Sequence, residues 1–184
     1  AIAIENARLY AEADQRANEL SQLYAAAQDF SQSLEPEIVL TKLVKHITGA
    51  LNATSGYILD VDLENSKLVV VAEYWSEDAG EKETCLHNVY QLSDYTTVIE
   101  AYHLGQPVCY TPDSPECTQA ERDELLENGV KSAMLIPIIS RGELVGEVEI
   151  WESRYERHFT DAEKRLVMAL AQHAATVLEN AHLY

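Results

Sequence analysis

A ten-residue phrase occurs in similar form at both ends of this 184-residue chain. Residues 1–10 read AIAIENARLY and residues 175–184 read ATVLENAHLY, with six of the ten positions identical. Neither copy contains Gly or Pro, and both have the composition of a helix. A helical phrase that closes one unit and also opens the chain predicts a tandem array, with another copy of the unit before Ala1. The alternative is that two amphipathic helices share this composition by chance.

Residues 1–34 as a whole lack Gly and Pro and are rich in Ala, Leu, Glu and Gln, which predicts one long helix. The apolar residues recur at alternating steps of four and three, the spacing of a coiled-coil seam. Asn6 within this seam favours a parallel homodimer through the terminal helices, because a buried Asn pair fixes the register. Packing of the stripe on the domain's own sheet is the alternative. The positions assigned to this contact are Ile2, Asn6, Leu9, Leu20 and Leu23, with Asn180 and Leu183 in the C-terminal copy.

Acidic residues outnumber basic ones by 31 to 13, and the net charge is −18. Such a surface repels phosphate backbones and anionic lipid, so we expect neither nucleic acid nor a membrane as a partner of this segment. No apolar run reaches the roughly 20 residues that a membrane span needs. The apolar fraction of 47% is enough for one globular core. The three cysteines, an odd number, indicate reduced thiols and a cytoplasmic location.

The hydrophobic periodicity predicts an order of elements typical of an α+β fold around an antiparallel sheet. The predicted helices cover 36–51, 97–104, 119–127 and 160–184, and the predicted strands cover 57–61, 68–72, 108–110, 133–139 and 143–151. Pro36 begins the first of these helices, since Pro is favoured in a first turn. Thr160 and Glu163 form a capping box at the start of the last one. The acidic stretch 76–83 is expected to be a loop.

Three motifs in the second half of the chain carry a resemblance to a known family. They are VKSAMLIPI at 130–138, GELVG at 142–146 and FTDAE at 159–163. With the closing LENAHLY, they resemble the second half of a GAF domain of a bacterial multi-domain sensor protein of the histidine kinase type. The resemblance implies a GAF- or PAS-like central antiparallel sheet, with the terminal helices on one face and a pocket, where one exists, on the other. It divides the chain into a linker helix over 1–33 and a GAF domain over 34–184, with 160–184 as the exit helix.

The last predicted strand alternates in character, which indicates different surroundings for its two faces. One face, expected to pack on the terminal helices, carries Leu144, Gly146, Val148 and Ile150. The other carries Val145, Glu147, Glu149 and Trp151, beside Ala133, Leu135 and Pro137 of the neighbouring strand. The candidate ligand-binding residues are Glu147, Glu149, Trp151, Ala133 and Leu135. Two carboxylates there would favour an amine or another cation, or else hydrated solvent, because a dry cavity would penalise them. The alternative is a wet face that binds nothing.

The local residues do not indicate a particular cofactor. Some GAF domains attach a bilin to a Cys-His pair, and the corresponding positions here are Ala120 and Glu121, with Cys117 one turn earlier. A covalent bilin is therefore expected to be disfavoured. A cyclic nucleotide is disfavoured as well, since only the Phe159 tail of the corresponding motif remains and the ligand is an anion. No metal is expected, because the short spacing of zinc sites is absent from Cys85, His87, His103, Cys109 and Cys117.

No catalytic motif is found in the sequence, which has no Gly-rich phosphate loop, no Ser elbow and no zinc-protease helix, so we do not expect an enzyme. The resemblance implies a regulatory sensor module of a signal-transduction protein, of the histidine kinase type found in two-component systems. Such a module would bind a small molecule or relay a signal through its terminal helices. The alternative is a ligand-free structural dimerisation spacer between tandem GAF domains.

Overall fold

The structure is a computed structural model that describes residues 35–182. The helix predicted over 1–34 lies outside the described residues. The same holds for the predicted contact positions Ile2, Asn6, Leu9, Leu20, Leu23 and Leu183. Asn180 is described and is exposed on the last helix. The parallel homodimer therefore stays a prediction.

Within residues 35–182 the chain forms four helices and six strands. The helices are α1 (Pro36–Leu51), α2 (Thr97–Leu104), α3 (Gln119–Glu127) and α4 (Asp161–His182). The strands are β1 (Ser55–Asp62), β2 (Lys67–Trp75), β3 (Val89–Gln91), β4 (Val108–Tyr110), β5 (Ser132–Ser140) and β6 (Glu143–Glu152). They form a six-stranded sheet in the order β3-β2-β1-β6-β5-β4, with every neighbouring pair antiparallel. The predicted α+β fold around an antiparallel sheet is confirmed.

Local chemistry explains where several of these elements begin. Pro36 opens α1, where a missing backbone N–H does no harm. A capping box opens α3: the Thr118 side chain accepts from the backbone N–H of Glu121, and the Glu121 side chain accepts from that of Thr118. The turn between β5 and β6 has positive φ at both Arg141 (51°) and Gly142 (86°). Two-residue hairpin turns of this kind match the twist of the strands that they join.

The two faces of the sheet bury separate cores. The helix face packs against α1 and α4, and its central sheet residues are Ile58, Met134, Ile136, Ile138, Val148 and Ile150. The cavity face lies under α2, α3 and the connecting loops, and its sheet residues include Tyr57, Leu59, Leu68, Val70, Ala133, Leu135 and Trp151. Each central strand thus contributes side chains to both cores. A displacement of such a strand therefore changes the packing in both cores.

Strand β6 lies close to α4 at Gly146. A Cβ atom added there would lie 2.6 Å from Leu178 Cδ1 and 2.6 Å from the carbonyl oxygen of Leu59. Both distances are too short for a side chain, so glycine allows this close approach of backbone and helix. At the end of β5, Ser140 Oγ donates a hydrogen bond of 2.6 Å to Glu179 of α4. The exit helix α4 is therefore in direct contact with β5 and β6.

The prediction for the start of β6 is wrong. Leu144 is buried in the cavity-face core and Val145 packs against the helix-face core, the reverse of the predicted alternation. The cause is a β-bulge: Ile138 pairs with Gly146, but Ile139 pairs with Leu144. The extra residue in β6 inverts the alternation on the turn side of the bulge. The prediction also lacks β3, because a strand of three residues carries no readable period.

Candidate ligand pocket

A cavity opens on the cavity face of the sheet, where β1, β2 and β6 lie beneath α3 and the segment around β3. Its enclosed volume is about 20 Å³, and the volume rises to about 320 Å³ when the open mouth is included. The lining residues are Tyr57, Leu59, Val70, Cys85, Tyr90, Tyr95, Glu124, Glu147, Glu149 and Trp151. Four of these side chains are aromatic and three are carboxylates, whereas none is Lys or Arg. The enclosed part has room for about one water molecule, so a larger guest would also occupy the open mouth or displace lining side chains.

Glu147 is the most deeply buried of the three lining carboxylates, with 3% of its surface exposed. Its Oε2 atom has no hydrogen-bond partner among residues 35–182. Burial raises the pKa of Glu147 well above its ordinary value, and the negative charges of Glu149, Glu121 and Glu124 raise it further. A carboxyl group in these surroundings takes up a proton unless a cation comes to it.

Glu149 lies two residues further along β6 and lines the same cavity. Tyr110 of β4 donates a hydrogen bond of 2.5 Å to its Oε1 atom. Burial raises the pKa of Glu149 to about 7, and the charge of Glu124 adds to this effect, although Trp151 and Tyr110 favour the ionised form. Glu149 therefore changes its charge close to neutral pH.

Helix α3 brings two more carboxyl groups to the cavity face. Burial raises the pKa of Glu124, although the hydroxyl groups of Tyr90 and Tyr95 favour its ionised form. Glu121, one turn earlier, is 4% exposed and accepts a hydrogen bond of 3.1 Å from the backbone N–H of Thr97. The capping box at the start of α3 fixes the position of Glu121. A strand and a helix thus direct four carboxyl groups towards one region.

Aromatic rings form the walls of the cavity. The rings of Tyr57 and Trp151 lie 4.6 Å apart between centroids and are tilted by 55°. The rings of Tyr90 and Tyr95 lie 5.0 Å apart in an edge-to-face arrangement. The Tyr57 hydroxyl donates a hydrogen bond of 2.5 Å to Glu81, which fixes the position of that ring. The cavity therefore presents π faces and carboxyl oxygens together.

The structure brings together three of the five predicted site residues. Glu147, Glu149 and Trp151 all line the cavity. Ala133 and Leu135 are buried in the core of the same face, where they pair with Trp151 and Glu149 across the β5–β6 ladder. They support the cavity from the neighbouring strand and are not among its lining residues. Pro137, also predicted on this face, pairs with Glu147.

The sequence reasoning missed Glu124 and the three tyrosines of the cavity. One signal was available for Glu124. Glu121, Glu124 and Leu125 are spaced by three and four residues, which places them on one side of α3, and Leu125 is 1% exposed. Two carboxylates on the buried side of a short helix indicate a polar site beneath it. No comparable signal marks Tyr57, Tyr90 and Tyr95, because only the folding of three separate segments brings them together.

The cysteines and histidines do not form a metal site within the described part of the chain. Among residues 35–182, no group of three or more His, Cys, Asp or Glu side chains is placed to hold a metal ion. Cys85 lines the cavity, and its thiol donates a hydrogen bond of 3.1 Å to Glu73 Oε2. Burial raises the pKa of the Cys85 thiol. Cys117 is buried in the cavity-face core, and Cys109 is exposed.

The family model of the GAF domain matches residues 33–179. The chain therefore belongs to the GAF family, a family of regulatory sensor modules. No curated protein sequence matches the chain significantly. No helix within residues 35–182 combines the length and the apolar character needed to cross a membrane.

Solved GAF domains have the same fold at low sequence identity. The GAF domain of a phosphoenolpyruvate-protein phosphotransferase from Coxiella burnetii is 22% identical, with a TM-score of 0.69 over 89% of this chain and 94% of that one. The phycocyanobilin-bound GAF domain of a cyanobacterial phytochrome is 19% identical, with a TM-score of 0.68 over 89% and 94%. The blue-light absorbing form of the PixJ GAF domain from Thermosynechococcus elongatus is 20% identical, with a TM-score of 0.66 over 80% and 87%.

These comparisons contradict the expectation that a bilin is disfavoured. Domains with this fold include phycocyanobilin-bound and phycoerythrobilin-bound GAF domains of cyanobacterial phytochromes. The expectation rested on the lack of a Cys-His pair at Ala120 and Glu121, which tests a single attachment position. The fold places Cys85 directly in the cavity lining, a position that counting along α3 could not reveal. A local motif alone therefore does not decide which cofactors this fold accepts.

Proposed function

We propose that this chain is the sensory module of a cytoplasmic signal-transduction protein of the histidine kinase type, without catalytic activity of its own. A small molecule enters the cavity, and the resulting shift of the sheet is passed to the terminal helices. The observation that supports this proposal is the two-sided role of β6. Glu147 and Glu149 line the cavity, whereas Val148 and Ile150 between and beside them are fully buried in the core shared with α1 and α4.

The route from the cavity to the exit helix is short. Glu147 and Gly146 are adjacent in β6, and Gly146 lies against Leu178 of α4 without a side chain between them. A movement of the β6 backbone that accommodates a ligand therefore displaces the contact surface of α4. Packed cores pass on such shifts because they are close-packed and little compressible. In the proposed homodimer, the two exit helices would carry the change to an output domain.

A ligand screen on the 184-residue chain tests this proposal. Thermal unfolding is measured with neutral, anionic and cationic metabolites and with phycocyanobilin, whose binding is also visible in its absorption spectrum. A ligand at about 100 times its dissociation constant should stabilise the chain by about 2.7 kcal/mol. Hydrogen exchange should then change in β6 and α4 together. Stabilisation without any change in α4 would contradict the proposed relay, and no binding across the panel would favour the structural dimerisation spacer.

A further inference from the structure

The cavity joins an excess of carboxyl groups with aromatic walls, and it has no positive charge of its own. From this combination we propose that the ligand is a small organic cation, a protonated amine, held by Glu147 and Glu149 beside the paired rings of Tyr57 and Trp151. This inference rests on the proposed sensory function, for which it names the class of ligand. Three independent features of the cavity support it.

The first feature is the unpartnered carboxyl oxygen of Glu147. The side chain is 3% exposed and lines the cavity, yet its Oε2 atom has no hydrogen-bond partner among the described residues. A buried acceptor without a donor destabilises a fold, and the effect is larger if the acceptor is charged. A protonated primary amine carries three N–H donors and no acceptor. It is therefore complementary to an orphaned carboxyl oxygen.

The second feature is the charge balance. Burial raises the pKa of Glu124, Glu147 and Glu149, and repulsion from neighbouring carboxylates, Glu121 among them, raises it further. No Lys or Arg is among the lining residues. An anionic ligand would add to this repulsion, and a neutral ligand would leave it unchanged. A cation converts it into attraction, and in a partly desolvated cavity that difference is large.

The third feature is the arrangement of the aromatic rings. A cation that lies within about 6 Å of an aromatic ring face is attracted by the ring quadrupole, most strongly by Trp and more strongly when water is excluded. Trp151 is 4% exposed, and its ring lies 4.6 Å from that of Tyr57. Tyr90 and Tyr95 form a second aromatic pair at the same cavity. Such walls favour an organic cation over a hydrated one.

A metal ion is the competing cation, and the structure favours it less. Among the described residues no group of three or more potential ligands is placed around a common point. The carboxyl groups of the cavity alternate with phenol and indole rings, which are poor ligands for hard metal ions. Ca²⁺ and Mg²⁺ therefore enter the experiment as comparison ions.

The experiment uses pairs of probes that match in shape and differ in charge. They are phenethylamine against phenethyl alcohol, putrescine against butanediol, and choline against its neutral carbon isostere dimethylbutanol. Binding to the 184-residue chain is followed at neutral pH through tryptophan fluorescence, because Trp151 lines the cavity. We expect at least one amine to bind about tenfold or more tightly than its neutral partner. A primary amine should bind more tightly than choline, which has no N–H donor.

The variant Glu147→Gln isolates the proposed contact. It keeps the shape of the side chain and removes the charge, and we expect the preference of the amine over its neutral partner to fall to about threefold or less. The matched control is Glu143→Gln, which makes the same change at an exposed position of the same strand and should leave the preference intact. Thermal unfolding shows that each variant is folded. Glu149→Gln provides a second variant with the same expectation.

The possible outcomes separate this inference from the proposed function. Equal binding of amines and neutral partners, tighter binding of Ca²⁺ or Mg²⁺ than of any amine, or an unchanged preference in Glu147→Gln would each overturn the cation assignment. Tight binding of a neutral or anionic metabolite in the broader screen would overturn it too, while leaving the sensory function in place. If no amine binds to the wild-type chain, the cation assignment is also overturned.

Discussion

Strand β6 carries two buried glutamates in opposite electrostatic settings. Glu152 at its end is fully buried and lies 2.8 Å from Arg154 and 3.5 Å from Arg157. Burial alone would raise its pKa, but hydrogen bonds from Arg154 and the charges of both arginines lower it. Glu147, five residues earlier, has no such partner, and its pKa is raised. The comparison teaches that burial alone does not distinguish a structural carboxylate from a ligand-binding one. The presence or absence of an arginine partner does.

The site around Glu152, here called the arginine cluster (Glu152, Arg154, Arg157 and Glu163), is a structural joint. Arg157 donates a hydrogen bond of 2.7 Å to the carbonyl oxygen of Leu51 at the end of α1, and another of 2.5 Å to Glu163 in the first turn of α4. Arg157 therefore links both helices to the end of β6. The arginine cluster holds α1, α4 and β6 together, whereas the carboxyl groups of the cavity have no arginine partner among residues 35–182 and are available to bind a ligand.

The largest effect should come from breaking the arginine cluster. Arg157→Met leaves the buried Glu152 with one partner fewer, and we expect a loss of about 3 kcal/mol in the free energy of unfolding. Urea denaturation measures it. The control is Arg141→Ala, because Arg141 is 85% exposed in its pair with Glu179, and this change should cost no more than about 0.5 kcal/mol. Similar losses of unfolding free energy in both variants would show that the arginine cluster does not hold the helices and β6 together.

The next effect concerns the pH dependence of stability. The folded state raises the pKa of Glu149 from 4.5 to about 7. Between these two pH values the folded form therefore holds a proton that the unfolded form has lost. The contribution of Glu149 to stability is therefore complete below pH 4.5 and declines as the pH rises to about 7. Relative to wild type, Glu149→Gln should gain roughly 2 kcal/mol between these limits. A difference that does not vary with pH would contradict the raised pKa.

A smaller effect is expected from Tyr110→Phe. The change removes the hydroxyl group that donates to Glu149, and charge-assisted hydrogen bonds contribute about 1.5 kcal/mol. The loss should grow as the pH rises, since the ionised form of Glu149 accepts the stronger bond. Urea denaturation at pH 5 and pH 8 measures this. Tyr155→Phe, at a side chain with 52% exposure, is the control and should be neutral at both values.

The smallest effect compares two helix caps, one near each site. Thr118→Ala opens the capping box of Glu121 and also removes a hydrogen bond to the carbonyl oxygen of Asp94, which should cost about 1 kcal/mol. Thr160→Ala opens the corresponding box of Glu163, but Arg157 still holds that carboxylate, so the cost should be about 0.5 kcal/mol. Thermal unfolding of both variants gives the order. A reversed order would show that Arg157 does not secure Glu163.

Most of the helices and strands, and the three cavity residues of β6, could be predicted from the sequence. Alternation along β6 places Glu147, Glu149 and Trp151 on one face, because a strand has a fixed period of two. The bulge that moves Leu144 to that face depends on pairing with β5, which the sequence of β6 alone does not contain. Glu124 reaches the cavity only through the docking of α3.

The contacts of the arginine cluster could not be predicted from the sequence either. The hydrogen bond from Arg157 to the carbonyl oxygen of Leu51 joins positions 106 residues apart. Nothing in the local pattern around 154–157 distinguishes an arginine that closes such a contact from one on a solvated turn. Such long-range contacts depend on the packing of α1 against the segment that follows β6, and hydrophobic periodicity does not describe that packing.

The glycine at 146 also has a consequence for the direction in which α4 leaves the domain. The side of that helix that carries Leu178 packs against a strand position without a Cβ atom. The rotational phase of the helix about its own axis is thereby set inside the domain. Each residue added or removed downstream would turn the outgoing helix by about 100°, given 3.6 residues per turn. A fusion of this module to a foreign output domain must therefore preserve that angle as well as the length of the connection.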